Sequence, residues 1–334
     1  EYYKSNDSLI IKGAADPSLL YYGKDSNRVV NFLRKENTSI FLIDEKIEDE
    51  VYGKGWSWDD YPYYYMPEKS LLPIYGNLAT YNLKNDSLQM QPEFLKSLVT
   101  VKDTIYLVRD FKANKFYAKT KSNRKYEVPF KTSNELTAVL LSSEIGRIVT
   151  LIPSKKYDFK PFYSQPKDSV LKQMLIVSDN FIAEQLMLQV GKEVVNKYNV
   201  NEAIEYSLEN FLPNLPQKPK WVDGSGLSRY NLFSPKSLVH LLNKMYHEIT
   251  RQKLLNYFPV GGETGTLKNW YGNSKPFVYA KSGTLSNNYC LSGYLITKKG
   301  TLLIFSSMNN HYMQSTAEVK SFLEGILKII YEKY

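Results

Sequence analysis

LKQMLIVSDNFIAEQL at residues 171–186 and KSGTLSNNYCLSGYL at residues 281–295 carry the reading of this chain. In the first stretch apolar residues fall at helical spacing, Leu171, Leu175 and Val177, then Phe181, Ile182, Leu186 and Leu188, on either side of the polar break Ser178, Asp179, Asn180. The second begins with Lys281, Ser282, Gly283 and Thr284 at the end of a predicted strand through Phe277 to Ala280. A strand through Tyr289 to Thr297, a Lys-Lys-Gly turn, a strand through Leu302 to Ser306 and a helix over about 316–331 follow. That order predicts an antiparallel meander closed by a helix. A further helix is expected at 235–246.

Upstream the pattern changes. From Tyr2 to about Lys131 the chain reads as short β elements: LIIKG at 9–13, SIFLID at 39–44, and a meander of TIYLVRDF, KFYAKT and KYEVPF, interrupted by one helix near 26–34. The break near residue 132 predicts a β-rich domain over 1–132 and a second domain over 133–334.

Composition excludes several classes. The 334 residues suit two domains, and 43% hydrophobic with 23% charged residues is an ordinary folded composition. The net charge of +9 suits anionic surroundings without naming one. A single cysteine, Cys290, rules out an intrachain disulfide. Cys290 itself is expected to be a packed core residue. His240, His247 and His311 form no HExxH pattern, so no metal and no cofactor is expected. No apolar run reaches the ~18 residues of a membrane span. GxSxG, GxxxxGK and GxGxxG are all absent, which removes nucleophile-elbow hydrolases, P-loop proteins and dinucleotide enzymes, and nothing points to nucleic acid.

Ser178-Asp179-Asn180 and Lys281-Ser282-Gly283-Thr284 match the second and third motifs of the penicillin-recognising serine enzymes, in the right order. By itself SDN is equally a helix N-cap, because all three side chains accept from free N–H groups. KSGT by itself is equally an exposed turn before a hairpin. The likeness extends to KGAADPSL at 12–19, GWSWDD at 55–60, VDGSGLSRYNLFSP at 222–235 and FPVGGETGTLK at 258–268. With these segments the chain resembles the class C low-molecular-mass penicillin-binding proteins, the D-alanyl-D-alanine carboxypeptidase/endopeptidase family.

The resemblance implies an α+β fold, a five-stranded antiparallel sheet between helical layers with a β-rich insertion. It implies a serine-type peptidase that cleaves peptidoglycan stem peptides through an acyl-enzyme, is acylated by β-lactams, and works in the periplasm or at the cell surface. It also implies roles. Ser178 passes a proton toward the leaving amine; Asn180 holds the substrate carbonyl and a lysine ammonium; Lys281 supplies positive charge near the reacting serine. Ser282 binds the substrate carboxylate, Gly283 lets the substrate lie against the strand, and the Thr284 N–H is an oxyanion donor. The usual third motif is KTG, and serine at 282 keeps the hydroxyl. Asp60 is implied to bind the ammonium of a diaminopimelate-type side chain, although beside Asp59 it also reads as a solvated loop acid. The DGSGLS loop, 223–228, is expected to border the cleft.

The first motif, SxxK, is the departure. It puts serine and lysine one helical turn apart on one face. It occurs at Ser122 with Lys125, in a lysine-rich turn; at Ser164 with Lys167, just before Pro166; and at Ser169 with Lys172, where the serine is expected to cap a helix. None has the family context, so the nucleophile is expected to lie upstream, in a segment on the order of 60 to 100 residues by the family's layout. Two rivals stand beside the peptidase: an inactive peptidoglycan-binding protein of the same fold, and a serine β-lactamase, which the insertion does not suit.

Overall fold

The β-hairpin that carries KSGT is longer than its local pattern suggests, and that length positions the site. In the computed structural model, which describes residues 1–22, 27–84, 87–102, 108–118 and 125–334 (main chain only at 83–84 and 87–88), the chain packs as two units, 1–166 with 181–203 and 167–180 with 204–334. In chain order the elements up to residue 166 are β1 (Tyr2–Lys4), β2 (Ser8–Ile11), α1 (Arg28–Arg34), β3 (Ser39–Asp44), β4 (Leu78–Lys84), β5 (Ser87–Gln91), β6 (Val99–Val101), β7 (Val108–Arg109), β8 (Phe116–Ala118), β9 (Tyr126–Pro129), α2 (Asn134–Ile145) and β10 (Val149–Pro153). Then follow α3 (Lys167–Val177), α4 (Asn180–Val195), α5 (Val200–Tyr206), α6 (Pro235–Glu248), α7 (Arg251–Tyr257), β11 (Val278–Leu285), β12 (Asn288–Ile296), β13 (Leu302–Asn310) and α8 (Thr316–Lys333).

Among the described residues the first unit holds three small sheets. One has the order β1-β2-β3-β10, with β3 parallel to both neighbours, so it joins residues on either side of residue 132. The strands expected to form one meander separate instead: β9 pairs with β4 in the sheet β5-β4-β9, whereas β8 pairs with β7 and β6 in the sheet β6-β8-β7. Burial explains the separation, because Val128 on β9 and Ala79 on β4 sit opposite one another and both are buried in one core with Leu9, Leu42, Phe116 and Leu141. Residues 104–107 of TIYLVRDF, 119–120 of KFYAKT, and Ser122 lie outside the described residues.

The second unit is built on the sheet β11-β12-β13, antiparallel throughout. Ser286 and Asn287 make a two-residue turn, with Asn287 at φ 62°, so pairing starts at Leu285–Asn288 and KSGT falls inside β11. Strand alternation assigns the two faces. Val278, Ala280, Tyr289, Leu291 and Leu295 form a core with Leu323 and Leu327 of α8. Tyr279 and Tyr294 pack on the opposite face with Leu242 of α6 and Leu254 and Tyr257 of α7, and the Tyr294 hydroxyl donates to the Leu242 carbonyl at 2.8 Å. The sheet is thus covered by helices on both faces, an α+β layering. Among the described residues it has three strands, against the five that the resemblance implies.

Local chemistry sets the helix ends. Ser315 and Glu318 form a reciprocal capping box at the start of α8, and α6 starts with Ser234 as cap and Pro235 at its first position. No helix among the described residues is long and apolar enough to cross a membrane, and no three His, Cys, Asp or Glu side chains gather there as for a metal.

Candidate active site

The SDN segment is a helix end before it is a helix start. Ser178 follows α3 with φ 60°, and the Asp179 N–H reaches back to the Met174 carbonyl at 2.9 Å, the six-residue closure of a left-handed C-cap. Glycine normally fills that position, since a Cβ in the left-handed region costs ~1–2 kcal/mol. Ser178 is held there with its hydroxyl accepting from Lys281 Nζ at 2.6 Å. α4 then begins at Asn180, so the N-cap reading of SDN fits Asp179 by position and leaves Ser178 for another task.

Lys281 projects from β11 onto the face that α6 and α7 cover. Its ammonium also donates to the Ser282 carbonyl at 2.5 Å. Both acceptors are neutral, so neither supplies an opposite charge to offset the lost hydration, and burial pushes the ammonium down to about 8. A lysine of that pKa exchanges protons readily near neutrality. Next to a hydroxyl at hydrogen-bond distance it makes a two-membered proton relay.

The outer edge of β11 is half covered. The Ala280 N–H donates to the Pro259 carbonyl at 3.1 Å, and the Gly261 N–H to the Val278 carbonyl at 2.9 Å. Cover by 259–261 stops at Ala280. Because alternate residues direct both backbone groups to the same edge, Ser282 and Thr284 aim their N–H groups to the side left open beyond Ala280. A Cβ added at Gly283 would meet nothing within 4 Å, so its absence is not required by packing inside the protein. An open edge beside a bare glycine accepts an extended peptide as an added strand.

Thr266 completes the arrangement and escaped the reading of the sequence. It lies in the Gly265–Leu267 turn, and Ser282 Oγ donates to Thr266 Oγ1 at 2.9 Å. Gly265 permits this: its φ is 57°, and a Cβ added there would lie only 2.1 Å from the Ile176 carbonyl at the end of α3. The signal was present in FPVGGETGTLK, as a glycine between two threonines.

The remaining expectations fall in different places. Asn180 is the first residue of α4 and half-buried; Thr284 and Gly283 are exposed. Cys290, expected in the core, is half-buried opposite Gly283, and burial raises its thiol. Asp223 is buried and organises its own loop, accepting from the N–H groups of Gly226 and Ser228. Ser164 is buried in the first unit, donating to Asp16 and bonded to Ser18. Ser169 sits within the first turn of α3 and is exposed, instead of capping that helix, while Lys172 donates to Asn256 at 2.6 Å. In the first unit, Asp60 ends a short 3-10 turn and accepts from the Tyr65 hydroxyl at 3.0 Å, whereas exposed Asp59 accepts from Ser57.

The chain is similar to known proteins in sequence and in fold. D-alanyl-D-alanine carboxypeptidase DacB of Haemophilus influenzae is 28% identical over 165 residues, 47% of this chain and 34% of that protein, so the match spans about a third of the curated relative's length. The crystal structure of penicillin binding protein 4 (dacB) from Haemophilus influenzae has the same fold, with a TM-score of 0.76 at 19% identity over 99% of this chain and 84% of the other. Its complex with a novel β-lactam gives 0.71 at 18% identity over 97% and 82%. The model of the D-Ala-D-Ala carboxypeptidase 3 (S13) family matches residues 130–329, a stretch that contains the relay, the open strand edge and Thr266. With the matched stretch covering more than half of its length, the chain belongs to the D-Ala-D-Ala carboxypeptidase 3 (S13) family.

Proposed function

We propose that this chain functions in a serine-type D-Ala-D-Ala carboxypeptidase or DD-endopeptidase that cleaves peptidoglycan stem peptides through an acyl-enzyme and is acylated by β-lactams, as its relatives' names suggest. The observation that carries the reading is the 2.6 Å contact between Lys281 and Ser178 beside the open part of β11. In this reading the substrate lies along β11 as an added strand. Its terminal carboxylate meets the Ser282 hydroxyl, with Thr266 as that hydroxyl's partner, and its carbonyl oxygen takes the Thr284 N–H as one oxyanion donor. Asn180 holds the substrate backbone, and Ser178 and Lys281 carry the proton to the leaving amine. The Haemophilus influenzae protein's β-lactam complex supports the same ligand class here.

The attacking serine and its lysine are, in this proposal, supplied by residues other than Ser122, Ser164 and Ser169. The buried Ser164, tied to Asp16 and Ser18, and the exposed Ser169 both argue against that role. Asp60 is assigned the side-chain ammonium of a diaminopimelate-type substrate, which rests on the resemblance. So does the division into an inserted β-rich part, 1–132, and a catalytic part, 133–334; α2 and β10, which follow residue 132 but pack with the sheet of β1 to β3, are the elements on which that division turns. A site acting on the cell wall places the protein in the periplasm or outside the membrane.

The test uses the full-length protein encoded by the native gene. A fluorescent penicillin should label it on one serine of an SxxK helix, located by peptide mass spectrometry, and it should release D-alanine from stem peptides. Labelling on Ser164 or Ser169 would show the nucleophile misplaced. Complete absence of labelling and hydrolysis would favour an inactive wall-binding protein with this pocket.

A further inference from the structure

Between α3 and α7, within the second unit, lies a cleft of about 340 Å³ that the proposed chemistry does not use. Its walls include Ile176, two residues before Ser178, and Tyr279, two residues before Lys281, but neither member of the relay lines it. Val260, also in its wall, bridges to Tyr279 where the edge of β11 is already covered. The open edge at Ser282 and Thr284 is therefore no part of this cleft.

Side chains from three elements build it. Near the start of α3, Asp168 accepts from the Tyr257 hydroxyl and pairs with Lys253, both at 2.7 Å. One turn on, Lys172 Nζ donates to Asn256 Oδ1 at 2.6 Å. These two clamps hold α7 against α3, and at the far end Gly265 packs on the Ile176 carbonyl. Thr264 Oγ1 accepts from the Val260 N–H at 2.9 Å, which fixes the loop at the mouth. The interior is apolar, from Ile176, Leu255, buried Phe258 and Val260, whereas Gln252, Asn256 and Thr264 at the rim are exposed. A cleft of a few hundred Å³ with an apolar floor and a few polar groups at its mouth is the usual form of a small-molecule site.

Charge and donor count select the ligand. Among the described residues Lys172 is the only charged side chain that lines the cleft. Asn256 occupies one of its three ammonium donors and leaves two. Of the neighbouring acids, Asp168 is taken by Lys253 and Tyr257, while Glu263 and Arg251 act on Tyr279 with opposite signs. Tyr279 is half-buried, and among the described residues its hydroxyl has no hydrogen-bond partner. Burial raises that phenol above its ordinary value, so it stays a donor. The Gln252 amide adds further donors, and Asn256 Oδ1 is already used. A cation would find no unpaired carboxylate here, an inorganic anion would leave the apolar floor uncovered, and a polymer strand exceeds the volume. We infer that the cleft between α3 and α7 binds a small organic monoanion, a carboxylate on an aromatic or compact aliphatic body, with Lys172 at the carboxylate and Leu255, Phe258 and Val260 beneath the body. The inference goes beyond the peptidase reading and does not depend on it.

The experiment compares 2-naphthoate, 2-naphthalenemethanol and 2-naphthylmethylammonium, which share one apolar body and differ in charge at its end. Each is titrated into the 334-residue chain by calorimetry. Naphthoate should saturate one site per chain and bind about tenfold tighter than the alcohol, the size of one charge-assisted hydrogen bond, with the ammonium weakest. Lys172→Met should erase the preference for the carboxylate while keeping the affinity for the alcohol. Gln252→Trp, which fills the mouth from an exposed position, should abolish binding of both. Both replaced side chains are exposed, so a melting temperature that stays nearly unchanged separates lost binding from lost folding. No saturable binding of naphthoate, equal affinity for all three compounds, or a carboxylate preference that survives Lys172→Met overturns the site. Undiminished binding by Gln252→Trp would put the ligand elsewhere and overturns it as well. Neither penicillin nor peptide enters these titrations, so failure here leaves the peptidase reading standing, and failure of penicillin labelling leaves this site standing.

Discussion

At Ser178 two demands meet. The end of α3 asks for a residue at φ 60°, and Lys281 asks for a hydroxyl at 2.6 Å. Ser178→Gly and Ser178→Ala both remove the hydroxyl, but only alanine keeps the left-handed strain, so the glycine variant should be the more stable by about 1 kcal/mol, or a few degrees in melting temperature. Equal stabilities would show that the cap is unstrained. Lys281 should titrate near 8. Amine-reactive labelling read by mass spectrometry should reach half its maximal rate there, far below the usual lysine value. The stability consequence has a definite sign. A depressed lysine pKa means the ammonium is charged in both folded and unfolded chains below about 8, where its burial destabilises the fold. The penalty fades as pH rises from 8 toward the ordinary value of 10.5, above which both states are neutral. Lys281→Met should therefore be more stable than wild type at pH 7, by up to about 3 kcal/mol, and the difference should shrink above pH 8. A difference independent of pH would assign the effect to packing.

Among the elements, the Gly265–Leu267 turn couples α3 to β11. Gly265→Ala puts a Cβ at 2.1 Å from the Ile176 carbonyl and strains φ 57°, so it should destabilise the second unit by about 3 kcal/mol or more, measured by denaturant midpoint. Thr266→Val keeps the shape and removes the partner of Ser282 at a cost of about 1 kcal/mol. In the full-length enzyme it should raise KM for peptides with a free terminal carboxylate more than for amidated ones. Equal change on both would deny Ser282 its role at the carboxylate. Ser315→Ala, which breaks the capping box of α8, should cost about 1 kcal/mol without touching binding, and so serves as a stability control.

For the whole molecule, the net charge sets the salt dependence of binding. A net charge of +9 attracts anionic wall polymers over a range set by the Debye length, ~10 Å at 0.1 M salt, so that part of binding should fall steeply with ionic strength. Binding to wall polymers that is unchanged between low and high salt would mean that the net charge contributes nothing to it.

Local pattern was sufficient for the closing β-β-β-α order of 278–333, because alternation in strands and the period of a helix are properties of short segments, whereas the expectation that Ser178 and Lys281 meet came from the family resemblance of their motifs and flanks. The capping box of α8 and the left-handed Asn287 turn are likewise written in neighbouring residues. Other features depend on residues far apart in the chain. Strand β9 leaves its sequence neighbours for β4, some fifty residues back, because partner choice follows which face can be buried, and that depends on every other strand. Thr266 reaches Ser282 only once Gly265 has seated its turn against α3. The ammonium of Lys281 falls to about 8 through desolvation, a property of the packed surroundings that no motif encodes. The sequence by itself determined which side chains are the candidates for the chemistry; only the tertiary structure decided their protonation, their strain and the length of strand edge left open, because each of these is set by what the rest of the chain packs around them.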